Sequence, residues 1–147
     1  MSATGIVWAT FLVSLVGGLV PLINVEVYLV SISAFAPQAG LLPVVVAASV
    51  GQVAAKLLLY GAGLGALRLR SFRNRAGLAA MVERLRAARV GAQAMLFASA
   101  LLGVPPFYLV SVAAGVLRLS VPALVVLGLA GRLLRFAAIF LLPRLLA

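Results

Sequence analysis

Four side chains could place charge inside an otherwise apolar sequence: Glu26, Lys56, Arg132 and Arg135. A carboxylate in such surroundings can exchange protons, and ammonium or guanidinium groups there attract phosphate. Lys56 belongs to a stripe, Ser49, Gln52, Lys56, Tyr60 and Gly63, whose steps of 3, 4, 4 and 3 trace one face of a helix that should look toward protein or water. Gly128, Gly131, Arg132 and Arg135 share a face in the same way. At about 1.5 Å per residue, Lys56 lies roughly 18 Å from Arg68 and Arg132 about 21 Å from Arg118. Lys56, Arg132 and Arg135 against Glu26 leave +2, a balance that needs an anionic partner, water, or displacement toward a surface. Plainer roles exist for each. Glu26 follows Asn24 and suits the first turn of a helix. Lys56 can snorkel, the two arginines can reach toward headgroups, and Tyr60, with Trp8 and Tyr108, can anchor at an interface.

Much other chemistry is missing from the inventory. The chain of 147 residues holds no histidine or cysteine, and its two acidic residues are both glutamate. Zinc sites, thiol nucleophiles, Ser-His-Asp triads and paired aspartates are therefore excluded, and neither an enzyme nor a cofactor is expected. Hydrophobic residues make up 65% and charged residues 10%, where a soluble domain would be about a quarter charged. A small globule has too much surface to bury such a composition, so lipid is the expected solvent. The net charge of +10 has no soluble basic domain to carry it, which argues against nucleic acid and for membrane topology.

The elements that must position these groups are long apolar runs with breaks. Residues 5–20 form an uncharged run without a basic leader or a small-residue cleavage site, and it is read as mature chain rather than a removed signal peptide. It stops at Pro21. A run from Val25 to Ala36 follows, too short to cross a bilayer, which takes about 20 residues. Residues 41–67 are long enough. Seven arginines then fall between Arg68 and Arg89 against Glu83, and by the positive-inside rule this segment is cytoplasmic. Its second half places Leu78, Met81, Val82 and Leu85 on one side of a helix expected to lie on the inner leaflet. Val90 to Leu102, a break at Gly103-Val104-Pro105-Pro106, Phe107 to Leu117 and a long segment from Leu119 to Leu142 repeat the plan. Pro43 precedes Lys56 by 13 positions and Pro122 precedes Arg135 by 13.

The expected fold is an all-α polytopic membrane protein, a single membrane domain over residues 1–147. Repeat one covers about 5–67, a basic cytoplasmic linker about 68–90, and repeat two about 91–144. Each repeat is a re-entrant hairpin broken at proline, Pro21 in the first and Pro105-Pro106 in the second, plus one full span, and the repeats are inverted. Two kinked spanning helices in place of the hairpins are the alternative. Breaks of this kind turn the free N–H groups of the next half-helix into the protein, where an anion can sit.

Pro21-Leu22-Ile23-Asn24-Val25-Glu26, the segment from Gly51-Gln52 through Lys56 to Tyr60-Gly61, Gly103-Val104-Pro105-Pro106-Phe107-Tyr108 with Ala114-Gly115, and Gly131-Arg132 with Arg135-Phe136 resemble the DedA / VTT-domain (SNARE-associated Golgi protein) superfamily over nearly the whole chain. The resemblance implies a membrane protein that moves lipids between leaflets, by scrambling phospholipids or by proton-linked recycling of polyprenyl phosphates. It matches Glu26 to the acidic residue after the first re-entrant proline and Arg132 with Arg135 to the basic pair of the last span. The chain departs from the pattern where Phe107 and Tyr108 stand in place of an arginine, and in lacking a further membrane acid.

The expected function is translocation of an anionic lipid whose phosphate is held by Lys56, Arg132 and Arg135, lined by Gln52 and Tyr60, with Glu26 as a proton-titrating gate. The alternatives are a small exporter of amphipathic cations acting through Glu26, and a structural subunit that needs a partner; self-association stays open. Eleven arginines to one lysine in a chain rich in alanine, leucine and valine suggest a GC-rich bacterium, and hence its plasma (inner) membrane. With the 68–89 segment inside, both ends should lie outside. Cysteines introduced at Ala3 and Ala147 should then react with an impermeant maleimide on intact cells, and labelling at only one end would break the inverted arrangement.

Overall fold

Residues 2–66, 76–88 and 91–146 are described in the computed structural model. Arg68, Arg70, Arg73, Arg75 and Arg89, which carry most of the topology argument, lie outside the described residues. The described residues form seven helices and no strand. They are α1 (Ala3–Leu19), α2 (Val25–Phe35), α3 (Leu41–Ala66), α4 (Ala76–Ala87), α5 (Gly91–Leu102), α6 (Phe107–Val116) and α7 (Val121–Leu146). Two of them, α3 and α7, are long and apolar enough to cross a membrane. The composition is thus met by an all-helical architecture compatible with a helical membrane protein.

Local chemistry sets most of the ends. Ser2 caps α1 by accepting from the Gly5 N–H at 3.2 Å. Pro21 follows the end of α1, and Asn24 starts α2 by accepting from the Glu26 and Val27 N–H groups at 3.0 and 3.2 Å. That side chain satisfies two of the donors a helix start leaves open. At the second break α5 ends at Leu102, Gly103 takes φ 79°, Val104-Pro105 is cis, and Pro106 precedes α6. The positive φ suits glycine, which has no Cβ to clash. Helix α7 runs past the expected end at Leu142, through Pro143 to Leu146. One missing N–H in a last turn is a small loss. Arg144 also ties that turn down, stacking 4.6 Å over Phe140 and donating to the Ala39 carbonyl at 3.4 Å.

The chain divides into two units, Met1–Ala55 with Arg132–Ala147, and Lys56–Gly131. In the first, α1 buries Ile6, Thr10, Ser14 and Gly18 while Trp8, Leu12 and Val16 are exposed. This reverses the soluble pattern: small and polar groups pack inward and large apolar ones face out, as helices do when lipid is the solvent. The inner face lies along α3. A Cβ on Gly51 would collide with the Phe11 carbonyl and Ser14, and one on Gly18 with Ala55. Residues rise together in both helices, so α1 and α3 are parallel. Helix α2 runs along α7 in the same sense, because Glu26 meets Arg135 and Ser33 donates to the Phe140 carbonyl at 2.6 Å. Ile6, Val25, Leu29, Val44, Phe136 and Phe140 fill the space between.

In the second unit α6 is the buried element, enclosed at Phe107 and from Val110 to Gly115. It runs beside α3, whose Gly63 touches it so closely that a Cβ there would overlap the Val112 carbonyl; one on Gly115 would overlap that of Tyr60. Helix α4 corrects one expectation. Leu78, Met81, Val82 and Leu85 are buried in a core with Phe107, Val110, Ala113 and Ala114, so the apolar side of α4 covers the protein and not the leaflet. A short helix that has a protein groove for its apolar face gains more by filling it than by lying on lipid, since the groove would otherwise be left open. Its exposed side carries Glu83 and Arg86, paired at 3.1 Å, and Arg84. At α6's other end Arg118 takes φ 52°, with Leu119 N–H reaching the Ala114 carbonyl at 2.9 Å and Arg118 N–H the Gly115 carbonyl at 3.0 Å.

Two glycines of α3 should respond oppositely to substitution. Gly63→Leu has to displace backbone and should cost about 1 to 3 kcal/mol or prevent folding. Gly61 has open space around it, and Gly61→Ala should stabilise by up to about 1 kcal/mol through helix propensity. Thermal unfolding midpoints in detergent check both.

Candidate functional site

Within the first unit the structure brings together Glu26, Arg132 and Arg135. Arg135 Nε donates to Glu26 Oε1 at 2.6 Å, and its Nη2 donates to the same oxygen. The side chains remain 22% (Arg135) and 37% (Glu26) exposed, a partly covered pair rather than a sealed one. Arg132 is only 9% exposed and lies with its guanidinium 5.6 Å from the centre of the Phe136 ring. Two guanidiniums and one carboxylate leave this group at 2 − 1 = +1.

The backbone explains why these groups meet. Glu26 is the second residue of α2, fixed there by the Asn24 cap, and a carboxylate in a first turn complements the partial positive charge of the helix start. Arg135 lies fourteen residues beyond Val121, the first of α7, and Ala55, beside Gly18, lies fourteen beyond Leu41, the first of α3. At about 1.5 Å per residue, each point is some 21 Å from its helix's start. The Pro21 break therefore sits far from the ends of both long helices. The capping role of Glu26 and its role as an ion-pair partner are both realised.

Gln52 lies in the same unit, 5% exposed, and its side-chain amide donates to the Ser14 carbonyl at 3.2 Å. That bond makes it a tie between α3 and α1. Tyr28, absent from the sequence expectation, shares a 3.2 Å hydrogen bond with the Thr10 hydroxyl. Thr10 itself donates to the Ile6 carbonyl at 2.7 Å, so the Tyr28 hydroxyl is the donor to Thr10.

The second unit holds Lys56 and Tyr60. Lys56 is 4% exposed and its ammonium lies 5.8 Å from the centre of the Phe107 ring, at the first residue of α6. Tyr60 is buried and donates to the Leu119 carbonyl at 2.5 Å. Its hydroxyl thus closes the end of the α6–α7 turn, and an interfacial anchoring role is not what the structure shows. Ser99 donates to the Pro105 carbonyl at 2.6 Å and holds the second break. The stripe from Ser49 to Gly63 is buried along its whole length, as its spacing requires. No cluster of potential metal ligands occurs among the described residues.

What sequence reasoning missed is the aromatic side. Phe107, Phe136 and Phe140 read as ordinary apolar residues, and only the four-residue spacing of Arg132, Phe136, Phe140 and Arg144 could have signalled that rings and cations share a face. Comparison with family models, curated proteins and solved structures finds no match.

Glu26 and Arg135 should be energetically coupled. In a double-mutant cycle with Glu26→Gln and Arg135→Gln, the coupling should be about 1 to 2 kcal/mol, held down by the partial exposure of both groups. Asn24→Ala should cost about 1 kcal/mol through the lost cap, and non-additively with Arg135→Gln, because both act on Glu26.

Proposed function

We propose that this protein translocates an anionic lipid across a bilayer, recognising the headgroup through Arg132 and Arg135 with Glu26 as the competing carboxylate. The observation that carries the reading is the excess of guanidinium over carboxylate deep along α7: a +1 cluster at a proline break, one of whose arginines is nearly enclosed. Buried charge is costly unless it is matched, and a phosphate matches two guanidiniums in charge and in fork geometry. In the other unit Lys56, buried on α3 beside Phe107, is by itself a cation suited to a phosphate oxygen.

Supporting the hairpin reading, each break starts a half-helix against the inner part of a long helix, α2 beside Arg135 and α6 beside Lys56. These are the two cations that follow Pro122 and Pro43 by equal intervals. Both units also pair one hairpin with parts of the two long helices. Inverted re-entrant repeats in a multi-pass plasma-membrane protein, with the arginine-rich linker inside, account for this plan, and so does the resemblance to the DedA / VTT-domain superfamily. Helix ends inside a membrane are tolerated where their polar groups find partners, and Asn24 and Ser99 bond such groups here.

In this mechanism Arg135 rests on Glu26 when no lipid is bound. An arriving phosphate competes for the guanidinium, and protonation of Glu26 releases Arg135 to the phosphate. A cation exporter would need Glu26 available to its substrate, whereas Arg135 occupies it.

The test is reconstitution in vesicles, with leaflet exchange of fluorescent phospholipids and anionic-lipid affinity measured side by side. Arg132→Ala and Lys56→Ala should each weaken affinity roughly tenfold to a hundredfold. Glu26→Gln should tighten it and flatten its pH dependence. Equal affinities in all variants would remove the site assignment, and efflux of ethidium without lipid exchange would favour the exporter.

A further inference from the structure

Arg135 engages the Glu26 carboxylate unevenly. Its Nε and Nη2 both donate to Oε1, so the guanidinium straddles one oxygen instead of matching each N–H to an acceptor of its own, as a forked pair does. Oε2 accepts no hydrogen bond among the described residues. Nor is that oxygen sealed away. Buried side-chain atoms without a hydrogen-bond partner occur in this unit at Ser14 and Ser49 and not at Glu26, whose side chain is 37% exposed. One oxygen of the carboxylate therefore holds Arg135, and the other is open to the surroundings.

An ionised carboxylate oxygen only accepts, so whatever settles on Oε2 must bring an O–H or an N–H. The neighbouring stretch of chain offers neither from a side chain. Leu22, Ile23, Val27 and Val30 are exposed and apolar, the Ser31 hydroxyl donates to the Val27 carbonyl at 2.8 Å, and that of Tyr28 engages Thr10. The donor has to come with a ligand.

Charge selects the kind of donor. Glu26, Arg132 and Arg135 sum to +1, which one phosphate diester neutralises. An ammonium on the same headgroup would restore the surplus, whereas a hydroxyl adds no charge. A hydroxyl also answers a difficulty in the exchange itself. When a phosphate draws Arg135 from Glu26, the carboxylate loses its partner, and a donor on the arriving headgroup replaces it.

We propose that Glu26 Oε2 is a specificity site for a headgroup hydroxyl, so that the preferred lipid is an anionic phosphodiester with an uncharged, hydroxylated headgroup of the glycerol kind. This deepens the proposed function and rests on it. The phosphate goes to Arg135 and the hydroxyl to Glu26, two side chains already in direct contact.

The experiment compares three short-chain lipids by titration into the full-length protein, held in an amine-oxide detergent whose headgroup has no hydroxyl. Phosphatidylglycerol and phosphatidylmethanol carry the same single charge on the same diester, and only the first has hydroxyls. Wild type should bind phosphatidylglycerol tighter by roughly threefold to tenfold, on the order of one hydrogen bond to a partly exposed carboxylate. Phosphatidylethanolamine, with its ammonium, should bind more weakly than phosphatidylglycerol.

Glu26→Met removes the acceptor and should bring the ratio of the two anionic lipids to one. Glu26→Gln keeps a neutral acceptor and should lower the ratio without changing side-chain size, which decides the matter if the methionine variant does not fold. Equal binding of the two anionic lipids by wild type, or a ratio that survives in both variants, overturns the hydroxyl site while leaving the phosphate reading in place. Tighter binding of phosphatidylethanolamine overturns the choice of an uncharged donor. Binding of none of the three overturns the proposed function and this inference together.

Discussion

A helix that stops in an apolar interior leaves unpaired N–H or C=O groups at its end, each costing more there than it would in water. Two helix breaks, at Pro21 and at Pro105-Pro106, set much of what surrounds them, and both carry exposed residues such as Leu22 and Val104. At the first, the Asn24 side chain takes two N–H groups of α2, Glu26 adds charge of the favourable sign, and Arg135 is drawn to Glu26. At the second, Gly103 N–H bonds the Ser99 carbonyl, the Ser99 hydroxyl takes the Pro105 carbonyl, and Pro106 has no N–H to satisfy. Asn24 and Ser99 are thus responses to broken backbone.

A second constraint follows from what lies outside. Trp8, Leu12, Leu58, Val126 and Leu134 are exposed while Thr10, Ser14, Ser49 and Ser111 are fully buried. With apolar surroundings there is little hydrophobic gain in hiding leucine, and close backbone approach becomes the means of holding helices together. Gly63 against Gly115, Gly51 against Ser14 and Gly131 against Ala100 are such approaches. They explain why glycine sits in the middle of α3 and α7, where intrinsic propensity opposes it. Hydroxyls tolerate the same crowding by bonding back to their own helix, as Thr10 does to Ile6 and Ser111 to Phe107.

The breaks and long helices were legible because proline, asparagine and run length act locally. The buried face from Ser49 to Gly63 was legible because five residues kept helical spacing. The partner of Glu26 was not: the charge count allowed Lys56, Arg132 or Arg135, and only the parallel course of α2 and α7 selects Arg135. Nor could the destination of α4's apolar side be read, since Leu78, Met81, Val82 and Leu85 suit a leaflet and a protein groove equally well. Tyr60 shows the same limit. Its place on the buried stripe was plain, but its bond to Leu119 depends on a turn 59 positions away. The phenylalanine rings were invisible for a different reason, because an aromatic that holds a cation and one that fills space have the same sequence signature.

Keeping more guanidinium than carboxylate inside an apolar protein lowers stability, yet the proposed function gives that cost a use. A lipid headgroup crossing a bilayer must leave water, and an isolated phosphate would lose most of its hydration in doing so. A cluster of net +1 that receives a singly charged phosphate becomes neutral, so the complex avoids much of the penalty that either partner bears alone. Had a second carboxylate stood beside Arg132, the empty protein would be better matched and the headgroup would find no charge to meet. On this argument the chain's shortage of acids would serve the proposed recognition of a lipid, with Glu26 as the acid that competes for Arg135.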